Sequence, residues 1–379
     1  MRGFFLPAKN GTRNQTMTTT LYGAEVSYFT GKVRAYLRWA AIPFEEVLST
    51  ADVYRQVIVP AVGAPVIPVL RDGNGRILQD STVIIETLEQ ARTDDGPALH
   101  PATPLRKLVA LMLEAYGDEW LVIPAMHYRW FYDRDWAMAE FGAMNAPDES
   151  AENQLAIGQK LAVPFSKAAT LLGATEDMVP AVETAYENLL AELDAHFAEH
   201  PALLGSQATI ADFGLIGPLY AHLYRDPTAG KLMRERAPNV ARWVEQLHFE
   251  PGGLRAPLDD NDRIPETLLP VLKRLAREML PAMVEVAHHV RAWMAEHPGE
   301  TLPRALGSHA FTLEGREGSR IIRPYSLWMI QRVRDHLNSL DADSRRRADT
   351  FLRDIGAEAL IDFPDPPRLA QHKLTVRPA

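Results

Sequence analysis

Ser27, followed by Tyr28, Phe29 and Thr30, stands where a strand-like string (TLYGAEV) gives way to helical spacing. Backbone N–H groups at a helix N-terminus favour negative charge, and a hydroxyl there can donate a hydrogen bond to an anion such as a thiolate. The same residues also suit plain helix capping. Further on, Ile67–Pro68 interrupts an otherwise clean strand pattern. A proline there forfeits a ladder hydrogen bond, which points either to an edge strand or to a cis X–Pro bond that offers the Ile67 main chain to a peptide-like ligand. Gln79-Asp80-Ser81-Thr82 then opens a second helix. A carboxylate and a hydroxyl at that terminus can grip an α-amino-acid zwitterion, Asp80 taking the ammonium and Ser81 the carboxylate, or can act as a simple cap.

These strings sit in a segment that alternates strand and helix signals. TLYGAEV reads as a strand, Thr30 as the cap of a helix through Trp39, 44–48 as a strand and 51–57 as a short helix. Val66 to Leu70 and Arg76 to Leu78 flank RDGNG, whose glycines supply the positive φ of a tight hairpin. Val83 to Leu88 completes the order βαβαββα. From Leu105 onward strand signals nearly vanish, and helical spacing recurs at 105–116, 152–172, 179–199, 209–223, 240–247, 265–296 and 324–340. Segregated classes of this kind predict an α/β unit followed by helices. Thr93 to Pro104 reads as a Pro-rich connector too polar for a core, and FEPGGLRAPLDDND as a solvated boundary.

The chain of 379 residues has 40 basic and 49 acidic side chains, hence a formal charge of −9. The acidic excess lies within residues 1–250, while 251–379 is nearly neutral. An acidic balance disfavours non-specific nucleic-acid binding. Cysteine is absent, which excludes disulfides, thiolate metal ligands and a protein thiol nucleophile. Any thiol chemistry then needs a thiol from a bound small molecule. No apolar run is long enough for a membrane span, and residues 1–17 read as an extension before the fold without the apolar run of a secretory signal, so the expected location is cytoplasmic.

In order and spacing, four strings together resemble the glutathione transferase superfamily: LYGAEVSYFTGKVRAYLRWAAIPFEEV, APVIPVL, LQDSTVIIETLEQ and LLGSQATIADFGLIGPL. The last carries Thr209 and Asp212 in the family's capping-box positions. The resemblance implies a thioredoxin-like α/β domain over 18–92, a linker over 93–104 and an all-α domain over 105–250. Residues 251–379 add a mostly helical segment outside the common pattern, expected as a lid or an interface, with Trp328, Ile330 and Val333 on its core face. It implies glutathione as co-substrate, activated by Ser27 as catalytic hydroxyl, with Tyr28 and Thr30 as possible helpers. Ile67, Pro68, Asp80 and Ser81 would bind the tripeptide. Asp80 is a methylene shorter than the family's commoner Glu or Gln, and Pro65 replaces a usual glycine.

The electrophile, a small hydrophobic molecule, would meet Trp120, His127, Tyr128, Trp130 and Tyr132 of DEWLVIPAMHYRWFYDRDW, unless these aromatics pack helix against helix. A homodimer formed through both domains, no metal, no nucleic acid and no membrane complete the expectation. A glutathione-dependent lyase, isomerase or reductase, and a non-catalytic binding or scaffold protein, are the alternatives. Metal spacings at Glu192, His196 and His200, and at Glu285 and His288, read as helix surface, as does Arg345-Arg346-Arg347 among its aspartates.

Overall fold

The computed structural model describes residues 18–364 and 366–379; the expected leader lies outside them. Strand β1 (Thr19–Gly23) pairs in parallel with β2 (Phe44–Leu48) across helix α1 (Tyr28–Trp39), and antiparallel with β3 (Val69–Arg71). β3 pairs antiparallel with β4 (Ile77–Gln79), giving the order β2-β1-β3-β4, and α2 (Ser81–Ala91) follows. Alternation along β1 sorts its side chains to two faces. Leu21 joins Val33, Leu37, Leu70, Leu78, Ile84 and Ile85 under α1 and α2, whereas Tyr22 joins Ile58 and Val69 under the helical stretch 51–62.

This is the thioredoxin-like unit the resemblance implies, with three local differences. Helix α1 begins at Tyr28 and is capped by Ser27, not Thr30. The strand starts after Pro68 and lies inside the sheet, so Pro68 is not an edge-strand proline. Leu99 of the connector has no exposure and its carbonyl accepts from Ile210 N, so that linker is partly core.

The helical domain opens with α3 (Pro104–Glu119), followed by a helical run at 122–132, α4 (Arg134–Asn145), α5 (Ala151–Leu171) and α6 (Val179–Glu199). The first of these later helices, α4, carries no strong sequence periodicity and was not expected. Helix α7 (Ile210–Ala221) crosses α3 so closely that a Cβ on Gly117 would stand 2.2 Å from Gly214 O. Asp212 holds the start of α7: its carboxylate accepts from Thr209 N at 2.9 Å, Leu203 N at 3.0 Å and Trp243 Nε1 at 3.2 Å. Helices α8 (Pro227–Arg236) and α9 (Pro238–Phe249) complete the unit.

Beyond residue 250 the chain returns to the core at once. Asp262, expected in a solvated run, accepts from Leu105 N and Arg106 N and so caps α3 from a distance of more than 150 residues, while Arg106 donates to the Asp259 and Arg263 carbonyls. Helix α10 (Leu269–Glu296), hairpin β5–β6 (Ser308–Leu313 and Arg316–Ile321), α11 (Pro324–Ser339), α12 (Ala342–Asp354) and hairpin β7–β8 (Leu369–His372 and Thr375–Pro378) follow. The segment is mostly helical, as expected, and the two hairpins are strands its sequence reading did not include. In β5 His309, Phe311 and Leu313 alternate with exposed neighbours, and Glu314 and Gly315, with φ of 45° and 74°, form the two-residue turn. Ile330 and Val333 of α11 are buried and Trp328 packs against the core.

His196 ties α6 to this segment. It has no exposure, accepts from Thr267 Oγ1 at 2.9 Å through Nδ1 and donates to the Ala202 carbonyl at 3.2 Å through Nε2. Burial lowers its pKa from 6.5 to about 4. A depressed histidine contributes stability that is fully present above the unfolded pKa and lost as pH falls through the folded one. Acidification from pH 6.5 to 4 is therefore expected to remove up to about 3 kcal/mol through this residue. Thermal midpoints of the wild type and His196→Gln across that range check it: the slope should be shallower in the variant.

Candidate functional site

A cavity of about 560 Å³ lies between the α/β unit, the helical domain and the appended segment. The α/β unit gives it Phe29, Val66, Ile67, Pro68, Asp80 and Ser81, and the helical domain gives Asp118, Glu119, Ala168, Leu171 and Leu172. Arg304, Ile321, Arg323, Tyr325, Lys373 and Leu374 close it from the appended segment. Of the expected tripeptide-binding residues, Ile67, Pro68, Asp80 and Ser81 thus converge on one space, and the Ile67–Pro68 bond is cis.

Asp80 caps α2, its Oδ1 accepting from Thr82 N at 3.0 Å and Val83 N at 3.1 Å. Its φ of 81° is a conformation that costs a non-glycine residue on the order of 1–3 kcal/mol. The other oxygen, Oδ2, accepts from the Tyr325 hydroxyl at 2.5 Å. Burial and the Asp80 charge hold that phenol protonated, its pKa well above 10. Ser81 lies beside them, its hydroxyl without a protein partner among the described residues.

Under this floor runs a buried ionic network. Lys32 Nζ, with no exposure, donates to Glu114 at 2.8 Å, Asp118 at 2.6 Å and Thr82 Oγ1 at 3.2 Å. Arg332 of α11 pairs with Glu114 and with Glu86 of α2. Burial alone would lower the Lys32 pKa, but Asp118 and Glu114 outweigh it and raise it. Burial raises Asp118 and Glu119, whereas Arg332 and Lys32 overcome burial at Glu114 and hold it below its ordinary range. Asp118 Oδ1 and Glu119 Oε2 make no hydrogen bond among the described residues, although both residues are almost fully buried; Arg323 Nη1 stands 3.4 Å from the latter.

The thiolate-side residues divide. Ser27 is half-buried, sits at the α1 N-terminus outside the cavity lining, and accepts from Thr30 N at 3.3 Å, which leaves its own proton to donate. Tyr28 is buried and donates to Gly117 O at the end of α3. Thr30 is fully buried with its hydroxyl unpartnered. None of the expected electrophile-pocket aromatics lines the cavity. Trp120 is buried beneath Arg320 and donates to Glu278 at 3.3 Å; His127 bonds Glu183 at 3.1 Å; Tyr128 packs on Tyr186 and Trp130 on Phe141. Tyr132 is half exposed and bonds the same Glu183. Phe29, Asp118, Glu119, Arg304, Arg323, Tyr325 and Lys373 had no signal of their own in the sequence, although Asp118 and Glu119 open the string singled out for its aromatics.

Elsewhere the charge spacings are structural. Glu192 pairs with Arg274, Glu285 and His288 stand 3.9 Å apart on an exposed face, and Arg345 and Arg346 pair with Asp349 and Asp343. Among the described residues no group of three or more His, Cys, Asp or Glu is arranged to hold a metal ion, and no helix is long and apolar enough to cross a membrane.

The cis proline and the helix-capping acid of the α/β unit thus share one cavity with the helical domain that follows. Residues 21–96 match the family model for the glutathione S-transferase N-terminal domain, and residues 176–246 that for the glutathione S-transferase C-terminal domain, so the two-domain core belongs to the glutathione S-transferase superfamily. No curated protein matches the sequence. Similar solved structures include the beta-etherase LigF from Sphingobium sp. strain SYK-6, at 18% identity over 62% of this chain and 97% of that one, with a TM-score of 0.42. Glutathione transferase GSTFuA3 from Phanerochaete chrysosporium matches at 16% identity over 64% and 99%, with a TM-score of 0.43. A glutathione-bound glutathione S-transferase from Methylobacillus flagellatus matches at 20% identity over 60% and 93%, with a TM-score of 0.35.

The buried Tyr28 hydroxyl serves the α1–α3 contact. Tyr28→Phe is expected to lose about 1 kcal/mol of stability and to leave the acidity of any bound thiol as in the wild type. Chemical denaturation together with an ultraviolet titration of the thiolate checks both halves.

Proposed function

We propose that the chain binds glutathione in this cavity and activates its thiol for attack on a small hydrophobic electrophile. The observation that carries the reading is the convergence of Ile67, Pro68, Asp80 and Ser81 on one cavity within a glutathione S-transferase core. In this reading the Ile67 main chain pairs with the cysteinyl part, and Asp80, Ser81 and the α2 N-terminus meet the γ-glutamyl end. Ser27 donates its free proton to the thiolate at the positive end of α1. A hydroxyl donor and a helix terminus together can lower a thiol pKa of about 8.5 by about 1–2 units, which makes the thiolate a major species at neutral pH. Phe29, Leu172, Ile321 and Leu374 supply apolar wall for the electrophile. The place of Ser27 outside the lining favours one other reading, a glutathione-binding protein without catalysis.

Calorimetry with glutathione, followed by titration of the bound thiol, separates these. The expected result is binding, a bound-thiol pKa below the free value, loss of that shift in Ser27→Ala, and weakened binding in Asp80→Ala. Binding with an unshifted thiol leaves the non-catalytic reading; no binding at millimolar glutathione removes both.

The resemblance implies a homodimer through both domains. Helix α11 already bridges them, since Arg332 reaches Glu86 of the first and Glu114 of the second. That contact lies within one protomer and leaves the homodimer as the proposal, so light scattering is expected to give twice the mass of one chain, which is 42.3 kDa. The mass of a single chain would overturn it.

A further inference from the structure

Asp80 is almost fully engaged before any ligand arrives. A carboxylate offers about four lone-pair sites, and three already hold Thr82 N, Val83 N and the Tyr325 hydroxyl. An ammonium carries three protons that each need an acceptor once desolvated. The acceptors without a hydrogen bond in the cavity are Asp118 Oδ1 and Glu119 Oε2, both on residues no more than 3% exposed; Glu119 Oε2 has only the Arg323 guanidinium near it, at 3.4 Å. Beside these acceptors stand the cations of the appended segment. Arg323 is half-buried, and Lys373 and Arg304 lie at the rim with no acidic side chain paired to either among the described residues. Tyr325, hydrogen-bonded to Asp80, lies two residues from Arg323, and Lys373 lies beside Gln79, so these two cations stand at the Asp80 end of the cavity.

We propose that the appended segment completes an α-amino-acid subsite: Arg323, with Lys373 at the rim and the Ser81 hydroxyl, takes the ligand's α-carboxylate, while Asp118 and Glu119 take its α-ammonium. Two opposite charges on one carbon match carboxylates set beside cations, and neither charge is then left buried and unpaired. Resting on the glutathione reading, this divides recognition of the γ-glutamyl end between the two-domain core, which supplies Ser81, Asp118 and Glu119, and the appended segment, which supplies Arg323 and Lys373. Tyr325 fixes Asp80 as the α2 cap, so Asp80 serves the γ-glutamyl end chiefly by holding the helix N-terminus and Ser81 in place.

Three peptides test the assignment: glutathione, its desamino analogue glutaryl-Cys-Gly, and its decarboxy analogue 4-aminobutyryl-Cys-Gly. Their Kd values are measured by calorimetry on the full chain, for the wild type, Arg323→Gln, Lys373→Ala and Glu119→Gln. The wild type should bind glutathione at least tenfold more tightly than either analogue. Arg323→Gln and Lys373→Ala should erase the penalty for losing the carboxylate and keep that for losing the ammonium, and Glu119→Gln should do the reverse. Equal weakening of all three peptides, or none, in the Arg323 and Lys373 variants overturns the proposal, since a merely structural role has no such selectivity. Failure of the wild type to bind glutathione at all would instead strike the functional reading beneath it.

Discussion

An ammonium with no access to water organises this molecule. Lys32 reaches from α1 of the α/β unit into the helical domain, where Glu114 and Asp118 lie one turn apart on α3, and Thr82 of α2 closes its coordination. A buried charge is tolerable only when paired and hydrogen-bonded, so one residue fixes the relative position of three helices. The requirement then spreads. Glu114 cannot be neutralised by Lys32 alone while Asp118 shares the same cation, and Arg332 supplies the second positive charge from a helix more than 200 residues later. The same guanidinium pairs with Glu86, so the appended segment is held by an electrostatic demand that originates in the core.

That demand explains why residues 251–379 behave as part of the fold rather than as a decoration. Asp262 caps α3, Arg106 holds the connecting loop, and Tyr325 reaches the acid that caps α2. The result is a cavity whose floor comes from the two-domain core and whose roof is foreign to it. The overall charge of −9 hides this arrangement. At the cavity, cations of the near-neutral segment stand beside carboxylates of the acidic part, and the local field is far steeper than the average charge conveys.

Legibility in the sequence tracked the range of the interactions. Ser27, the Ile67–Pro68 step, Asp80 as a cap and the Thr209–Asp212 pair could be read because each depends on neighbours a few residues away. Tyr325 and Arg323 could not, because their partners lie some 200 residues off and long-range pairing leaves no local pattern. The aromatics after Trp120 show a different limit. The sequence shows them clustered, but packing against Glu278, Tyr186 or Phe141 and packing against a ligand look alike there. The β5–β6 hairpin was legible in principle. Its Glu314–Gly315 turn and alternating His309, Phe311 and Leu313 carry the period of two, which the wider amphipathic string obscured.

The contact between Tyr325 and Asp80 spans 245 residues, and that between Arg332 and Glu86 spans 246. A ribosome delivers the α/β unit and α3 long before either partner leaves the exit tunnel, so the nascent core must wait with Glu114 only half neutralised. Loop closure of that span adds little entropy beyond a loop half as long, but it makes the last steps of folding non-local and slow. Maturation of the cavity is thereby tied to completion of the polypeptide: a prematurely terminated chain holds the family's two domains and lacks the wall that finishes the cavity.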